Sequence, residues 1–396
     1  MKDLKHLTYF ENLLLEANNE LVRSAQSEGR FAVGQVCSLI PEVLMNVPGC
    51  FSVRLRAPHL GSMEIGTYYM TSLSCEYCRA VLELAEEGGL QFLDCIIAPD
   101  ACAMMNRCVE NIERQNLCTK EHFFVEYSDV PMKSDETALK HYIKQMRVHV
   151  LEPMGEKLKV DVSDAALRKA VAEHNEVCRL ITQIGEFRKE ENPRISSYEF
   201  HILCAASYCA PKDLLVQPLR ETLEELKVRE PDETKQYRIR VVLVGSEIDD
   251  PDVIKLIEDS GALVVADRYC FGSFPGRQEI VLTEDEDALS QICRQYLAWG
   301  QCPRFMDTEK IVERRAYVDN LAKEFHADGL IYQQIKFCDY WGYERAAANH
   351  FTNEEYGYPV LSIDRPYVIG SSGQLRTRVQ AFVESIEFKK LQGEKN

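Results

Sequence analysis

The chain has 396 residues, 45% of them hydrophobic and 28% charged, with 20 glycines and 15 prolines, the composition of a globular protein of about two domains. Its 46 basic and 63 acidic residues leave a net charge of −17. That argues against a nucleic-acid or anionic-membrane partner, since both need clustered positive charge, but not against an anionic small ligand.

Residues 3–28 predict one opening amphipathic helix. The stretch MKDLKHLTYFENLLLEANNE mixes charges into its apolar positions, and no apolar run approaches the ~18–20 residues needed to cross a bilayer, so a cytoplasmic protein is expected. RFAVGQVCSLIPEVLMNVPG predicts strand, loop and a helix starting near Pro41. FLDCIIAPDAC predicts a buried strand ending at Pro99, and HFFVEYSDVP another. Strands alternating with helices imply βαβ units and a mostly parallel sheet. From Ser163 or Asp164, a good N-cap, Leu167, Val171, His174, Cys178 and Ile181 share one helical face. Helix continues to about Lys227, and REPDETKQ is the best linker. The strand–helix pattern then returns. RIRVVLVGSE is a strand followed by the helix DPDVIKLIEDSG with its C-terminal glycine; ALVVADRYC, DGLIYQQIKFC and PVLSIDRPY are three further strands. The expected organisation is an N-terminal helix over 1–30, an α/β domain over 31–160, a helical segment and linker over 161–230, and a second α/β domain over 231–396.

Fifteen cysteines need a reason in a reducing compartment, where structural disulfides are rare. Cys75 opens the helix CRAVLELAEE, and Cys102, Cys270 and Cys338 each stand at the end of an apolar strand. In open parallel sheets ligands bind outside the carboxyl ends of the strands. Four such cysteines, drawn from both halves, can meet in one cleft, with helix N-termini favouring thiolates. Cys178, Cys204, Cys209 and Cys293, inside apolar helical stretches, read as buried packing residues, and Cys37, Cys50, Cys95, Cys108 and Cys118 lean the same way. For Cys75–Cys78 a thioredoxin-like pair is the rival. A structural zinc site lacks its second short-spaced pair. Iron–sulfur ligation from distant loops suits the dispersed pattern better, although no ferredoxin-type spacing is present.

The chain has no GxxxxGK[ST] loop, no GxGxxG after a strand and no HExxH, so ATP hydrolysis by this chain is not expected. Ser371, Ser372 and Gly373 read as helix capping, with a phosphate site near Arg376 and Arg378 as the alternative. Arg54, Arg56 and Arg79 read as solvated surface arginines rather than as an anion site.

SCEYCRAVLEL, FLDCIIAPDACAMMNRC, the segment from WGQCPRFMDTEK to KFCDYWGYE, and SSGQLRTRVQAFVESI together resemble the 2-hydroxyacyl-CoA dehydratase subunits. That superfamily also holds benzoyl-CoA reductase subunits and double-cubane cluster proteins. The resemblance runs in order from about residue 30 to 390. It implies two flavodoxin-like domains with a [4Fe–4S] cluster in the cleft between them, held by Cys75, Cys102 and Cys338. Cys78 is not an implied ligand. Cys270 and Cys302 occupy positions where relatives can carry cysteine, to line the site or to ligate an [8Fe–9S] double cubane. Implied too are an acyl-CoA substrate, a paralogous partner subunit (or a second copy), and a separate ATP-hydrolysing iron–sulfur activator. The implied reaction is dehydration of a 2-hydroxyacyl-CoA. One electron added to the thioester carbonyl gives a ketyl radical that expels the 2-hydroxyl and acidifies the β-proton. A reductase subunit and a non-catalytic electron-relay subunit are the alternatives, and five candidate thiols disfavour a double cubane.

Overall fold

The computed structural model describes residues 3–231, 237–273, 277–369 and 373–393. Among these residues eight strands form two four-stranded parallel sheets. The first contains β1 (Phe31–Gln35), β2 (Cys50–Arg54), β3 (Cys95–Asp100) and β4 (Phe124–Asp129) in the order β2-β1-β3-β4; the second contains β5 (Ile239–Gly245), β6 (Ala262–Tyr269), β7 (Gly329–Ile335) and β8 (Val360–Arg365) in the order β6-β5-β7-β8. Each half therefore repeats one winding, second strand, first, third, fourth, as in flavodoxin-like sheets. The inner strands read as continuous apolar runs because helices cover both faces, and β5, β6 and β7 are buried along nearly their whole length. Edge strand β4 is only half buried. Among the described residues, no helix is long and apolar enough to cross a membrane.

Helix Ser197–Cys209 packs against both β2 and β6, one outer strand from each sheet. It is buried along almost its whole length and starts with a reciprocal cap between Ser196 and Glu199. The connection from β6 to β7 crosses back to the first half. Its helix Ala288–Trp299 packs on helices Glu136–Met146 and Asp164–Glu186, and helix Thr308–Glu324 then returns to the second sheet.

Two local expectations are corrected. The single opening helix is two helices, Leu7–Leu15 and Glu20–Ser27. Asn19 separates them by accepting from the Leu21 and Val22 amides and donating to the Cys209 carbonyl at 2.8 Å. The helix expected from Pro41 is one 3₁₀ turn, Glu42–Asn46. Pro48 and Gly49 (φ +90°) then lead the chain into β2, a strand the apolar run concealed. Strand β3 also runs one residue past Pro99. The Ser163 cap is as expected, its side chain accepting from the Ala166 amide.

Candidate functional site

In a parallel order 2-1-3-4, the connections from the first and third strands lead to opposite sides of the sheet, and that reversal of strand order opens a crevice at their carboxyl ends. The first sheet places Cys37 just beyond β1 and Cys102 just beyond β3. The second places Ser246 and Glu247 beyond β5 and Cys338 beyond β7. The two crevices face each other and enclose one cavity, in whose wall Cys37, Cys75, Cys78, Cys102, Cys270, Cys302 and Cys338 all appear. Every cysteine singled out as a site candidate is there. Of the fifteen thiols, the five that are not fully buried are Cys37, Cys102, Cys270, Cys302 and Cys338, all on this wall. Cys178, Cys204, Cys209 and Cys293 are packing residues, as are Cys50, Cys95, Cys108 and Cys118.

Cys37 departs from expectation. The sequence groups it with the packing cysteines, yet it faces the cavity. The signal lies in its position, two residues past an apolar strand, the same criterion that picks out Cys102.

Cys75, Cys102 and Cys338 share a further property. They are the N-cap residues of helices Glu76–Glu86, Ala103–Arg114 and Asp339–Tyr356. Each thiol thus stands at a helix start, beside amides that have no partner within the helix. The Cys78 thiol, followed by the Met105 and Met104 amides, holds Cys102 below its ordinary value, at about 6. Cys78 moves the other way, its proton retained by contacts with Cys102 and Cys75 and by burial. It therefore serves Cys102 as a hydrogen-bond donor, an arrangement unlike a free thioredoxin-type pair. Burial, and then the neighbouring Cys75, raises Cys338.

Two loops that carry these thiols use strained backbone. Thr71 and Phe337, neither a glycine, adopt φ of +68° and +66° just ahead of Cys75 and Cys338, a conformation that costs of order 1–3 kcal/mol each. The loops are stitched together across the cleft. The Glu76 amide donates to the Lys336 carbonyl at 3.3 Å, and the Tyr367 amide donates to Glu76 Oε2 at 2.7 Å. On the opposite side the Tyr340 hydroxyl donates to the Ala101 carbonyl at 3.1 Å, beside Cys102.

Arg54, Arg56 and Arg79 correct the surface reading. They are 1%, 2% and 6% exposed. Arg54 donates to Gln35 Oε1, Ser38 Oγ and the Cys270 carbonyl, and lies over the rings of Tyr208 and Phe271. It ties β2 to the segment that carries Cys270. Arg56 bridges the Leu14 and Asp249 carbonyls, and Arg79 holds the Cys75 turn through the Ser74 carbonyl and Thr67 Oγ1. Residues 370–372, part of the capping and phosphate alternatives, lie outside the described residues.

Glu247 is the acidic side chain of the wall. Burial pushes its carboxyl up to about 8, against the opposing pull of Arg54, and its Oε2 has no hydrogen-bond partner among the described residues. Arg304 lines the same wall, its Nη atoms donating to the Pro131 and Asp100 carbonyls. Among the described residues no three His, Cys, Asp or Glu side chains close on one point as a mononuclear metal site would require.

Fold and site together define an α/β protein of two flavodoxin-like halves with a thiol-lined cavity at their shared switch points. Similarity to known proteins then gives its family. Residues 37–386 match the family described as 2-hydroxyglutaryl-CoA dehydratase, D-component, and the chain belongs to that family of hydro-lyase subunits. It is 24% identical to the (R)-phenyllactyl-CoA dehydratase beta subunit of Clostridium sporogenes, over 96% of this chain and 99% of the relative. It is 24% identical to the (R)-2-hydroxyglutaryl-CoA dehydratase subunit beta of Acidaminococcus fermentans, over 91% and 94%. It is 23% identical to a benzoyl-CoA reductase subunit of Thauera aromatica, over 81% and 82%.

Proposed function

We propose that the chain is the iron–sulfur subunit of a 2-hydroxyacyl-CoA dehydratase, converting a 2-hydroxyacyl-CoA to the enoyl-CoA after one-electron activation by a separate ATP-hydrolysing partner. The observation that carries this reading is the convergence of Cys75, Cys102 and Cys338, one helix N-terminus each, on a single cavity wall. The donor set fits a cubane. The three ligands are sulfur, a donor that suits iron, and they surround a space rather than closing on a point. When bound, a cluster with three protein ligands supplies a low-potential electron and one iron open to a substrate oxygen.

The chain's own residues supply the surroundings. Cys78 keeps its proton and donates it toward Cys102. Glu247 holds a proton near neutral pH on the cavity wall, with Oε2 still unengaged. Val36, Met105, Ile335 and Trp341 keep the cavity wall apolar and exclude water from the reacting group. The relatives are each named as one subunit of a larger enzyme, which supports a paralogous partner. The lack of a phosphate-cradling loop in this chain supports a separate ATPase.

In dehydration the electron is returned after each turnover, whereas in reduction electrons are consumed in proportion to product. The complex, reconstituted anaerobically with limiting reductant, is given a panel of 2-hydroxyacyl-CoA thioesters and benzoyl-CoA. The expected result is enoyl-CoA in large excess over electrons supplied. Product that only tracks reductant, or a reduced ring, transfers the assignment to a reductase.

One observation favours that second reading. With Cys37 on the wall, Cys37, Cys75, Cys102, Cys270, Cys302 and Cys338 make six thiols besides Cys78, so the shortfall that disfavoured a double cubane disappears. Iron content separates the two: about eight per chain for a double cubane against about four for one cubane.

A further inference from the structure

Next to the thiol cavity lies a second chamber. The two share Cys37, Leu39, Cys270, Cys302 and Trp341 as lining residues. Rings dominate the rest of its wall: Tyr142 from helix Glu136–Met146, Tyr296 and Trp299 from helix Ala288–Trp299, and Phe305 from the loop that follows. Gly300 makes this packing possible, since a Cβ there would stand 2.6 Å from the Phe305 ring. The space open to the centre of a water molecule is about 80 Å³, several times the ~10–15 Å³ that one water requires.

Three polar side chains of this wall, Tyr142, Tyr269 and Arg268, are already engaged. The Tyr142 hydroxyl donates to the Leu39 carbonyl at 2.5 Å, and the Tyr269 hydroxyl pairs with His201 Nδ1 at 2.8 Å. Arg268, 1% exposed, gives its Nε to Gln301 Oε1 at 3.1 Å and its Nη2 to the Gln301 carbonyl, and its charge is met by Glu344 at 3.4 Å. Its guanidinium lies over the Trp341 ring, 5.2 Å from the centroid. A carboxylate entering here would lose its water and find its cation already paired, a heavy cost. An uncharged ring would lose only unfavourable contact with water, and apolar cavities of this kind take up aromatic molecules.

We infer that the chamber receives an uncharged, ring-sized apolar group, the side chain of the acyl thioester, and that it selects such acyl groups over those ending in a carboxylate. The acyl part of this assignment rests on the thioester reading above; the chamber's preference does not.

The chain has two tryptophans, and both Trp299 and Trp341 line the chamber, so intrinsic fluorescence reports on it directly. The purified chain is titrated with toluene and, separately, with glutarate. Toluene is expected to give a saturable change in tryptophan emission and to raise the thermal midpoint, because a ligand bound only by the native state stabilises it. Glutarate should do neither. Val130→Phe, which adds a ring to the chamber wall, should weaken the toluene response at least tenfold. The thermal shift of the wild type decides the question should that variant not fold. A linear, unsaturable response to toluene with no thermal shift, or a saturable response to glutarate, overturns the chamber's assignment. In the assembled enzyme toluene should raise the KM for an aryl-substituted thioester with kcat unchanged. Toluene that binds the chain yet leaves KM untouched overturns the acyl assignment while leaving the dehydratase reading standing.

Discussion

Cys78 and Cys102 illustrate how position, more than residue type, sets chemistry here. Cys102 faces the free amides of a helix start and a neighbouring S–H, and is held at about 6. Cys78, one turn further along its own helix, is held between Cys102 and Cys75 and buried, and keeps its proton. His201 shows the same logic in the core. Burial lowers it to about 3, with Arg56 and Arg365 adding to the effect, and its Nε2 has no partner. In the unfolded chain the imidazole titrates near its ordinary 6.5. Between those values the unfolded state alone takes the proton, so stability is complete above about pH 6.5 and falls as the pH drops toward 3. The expected slope from this residue is roughly 1.4 kcal/mol per pH unit. Urea midpoints at pH 7 and pH 5 should show wild type losing more stability on acidification than His201→Gln, by about 2 kcal/mol. Equal losses in the two proteins would contradict this. At the same scale, cysteines at strand ends were legible from sequence. The buried arginines were not, because nothing in a single chain tells which cations find carbonyls and rings to meet them.

The elements are held to one another by a few buried polar knots. One joins three separate pieces of chain: Glu42 in the 3₁₀ turn after β1, Lys212 at the start of helix Lys212–Val228, and Arg277 beyond β6. Their side chains are at most 3% exposed. Burial alone would raise the Glu42 carboxyl, but Arg277 and Lys212 hold it well below the usual range. Arg277 also stacks 3.6 Å from the centroid of the Tyr208 ring. Glu42→Gln leaves two cations without their counter-charge and should cost about 3–5 kcal/mol, read from denaturant unfolding. A cost under about 1 kcal/mol would show that the knot contributes little. Element types were largely readable, since parallel buried strands announce themselves as unbroken apolar runs and the long helix Asp164–Glu186 by its Ser163 cap. Strand β2 was hidden because LMNVPGCFSVRL is apolar on both sides of its turn, and apolar runs alone do not separate a short strand from a short helix.

On the scale of the whole molecule, two sheets of identical winding are set with their switch points facing, and helix Ser197–Cys209 lies against an outer strand of each. Duplicated topology of this kind makes a cleft whose walls come from opposite ends of the sequence, so Cys75 and Cys338 meet although 263 positions separate them (338 minus 75). Their meeting followed from a general rule about parallel sheets; the aromatic chamber behind the thiols did not, because its rings come from helix faces that look like ordinary packing. The central claim is that this cavity holds an iron–sulfur cluster through Cys75, Cys102 and Cys338. The most direct measurement is iron and acid-labile sulfide in anaerobically purified protein, wild type beside single serine variants. Wild type should be brown and bleach in air, and Cys75→Ser, Cys102→Ser and Cys338→Ser should each lose most of the iron, whereas Cys178→Ser, altered in the core, keeps it. Full iron retained in Cys338→Ser, or a colourless wild type, would contradict the account.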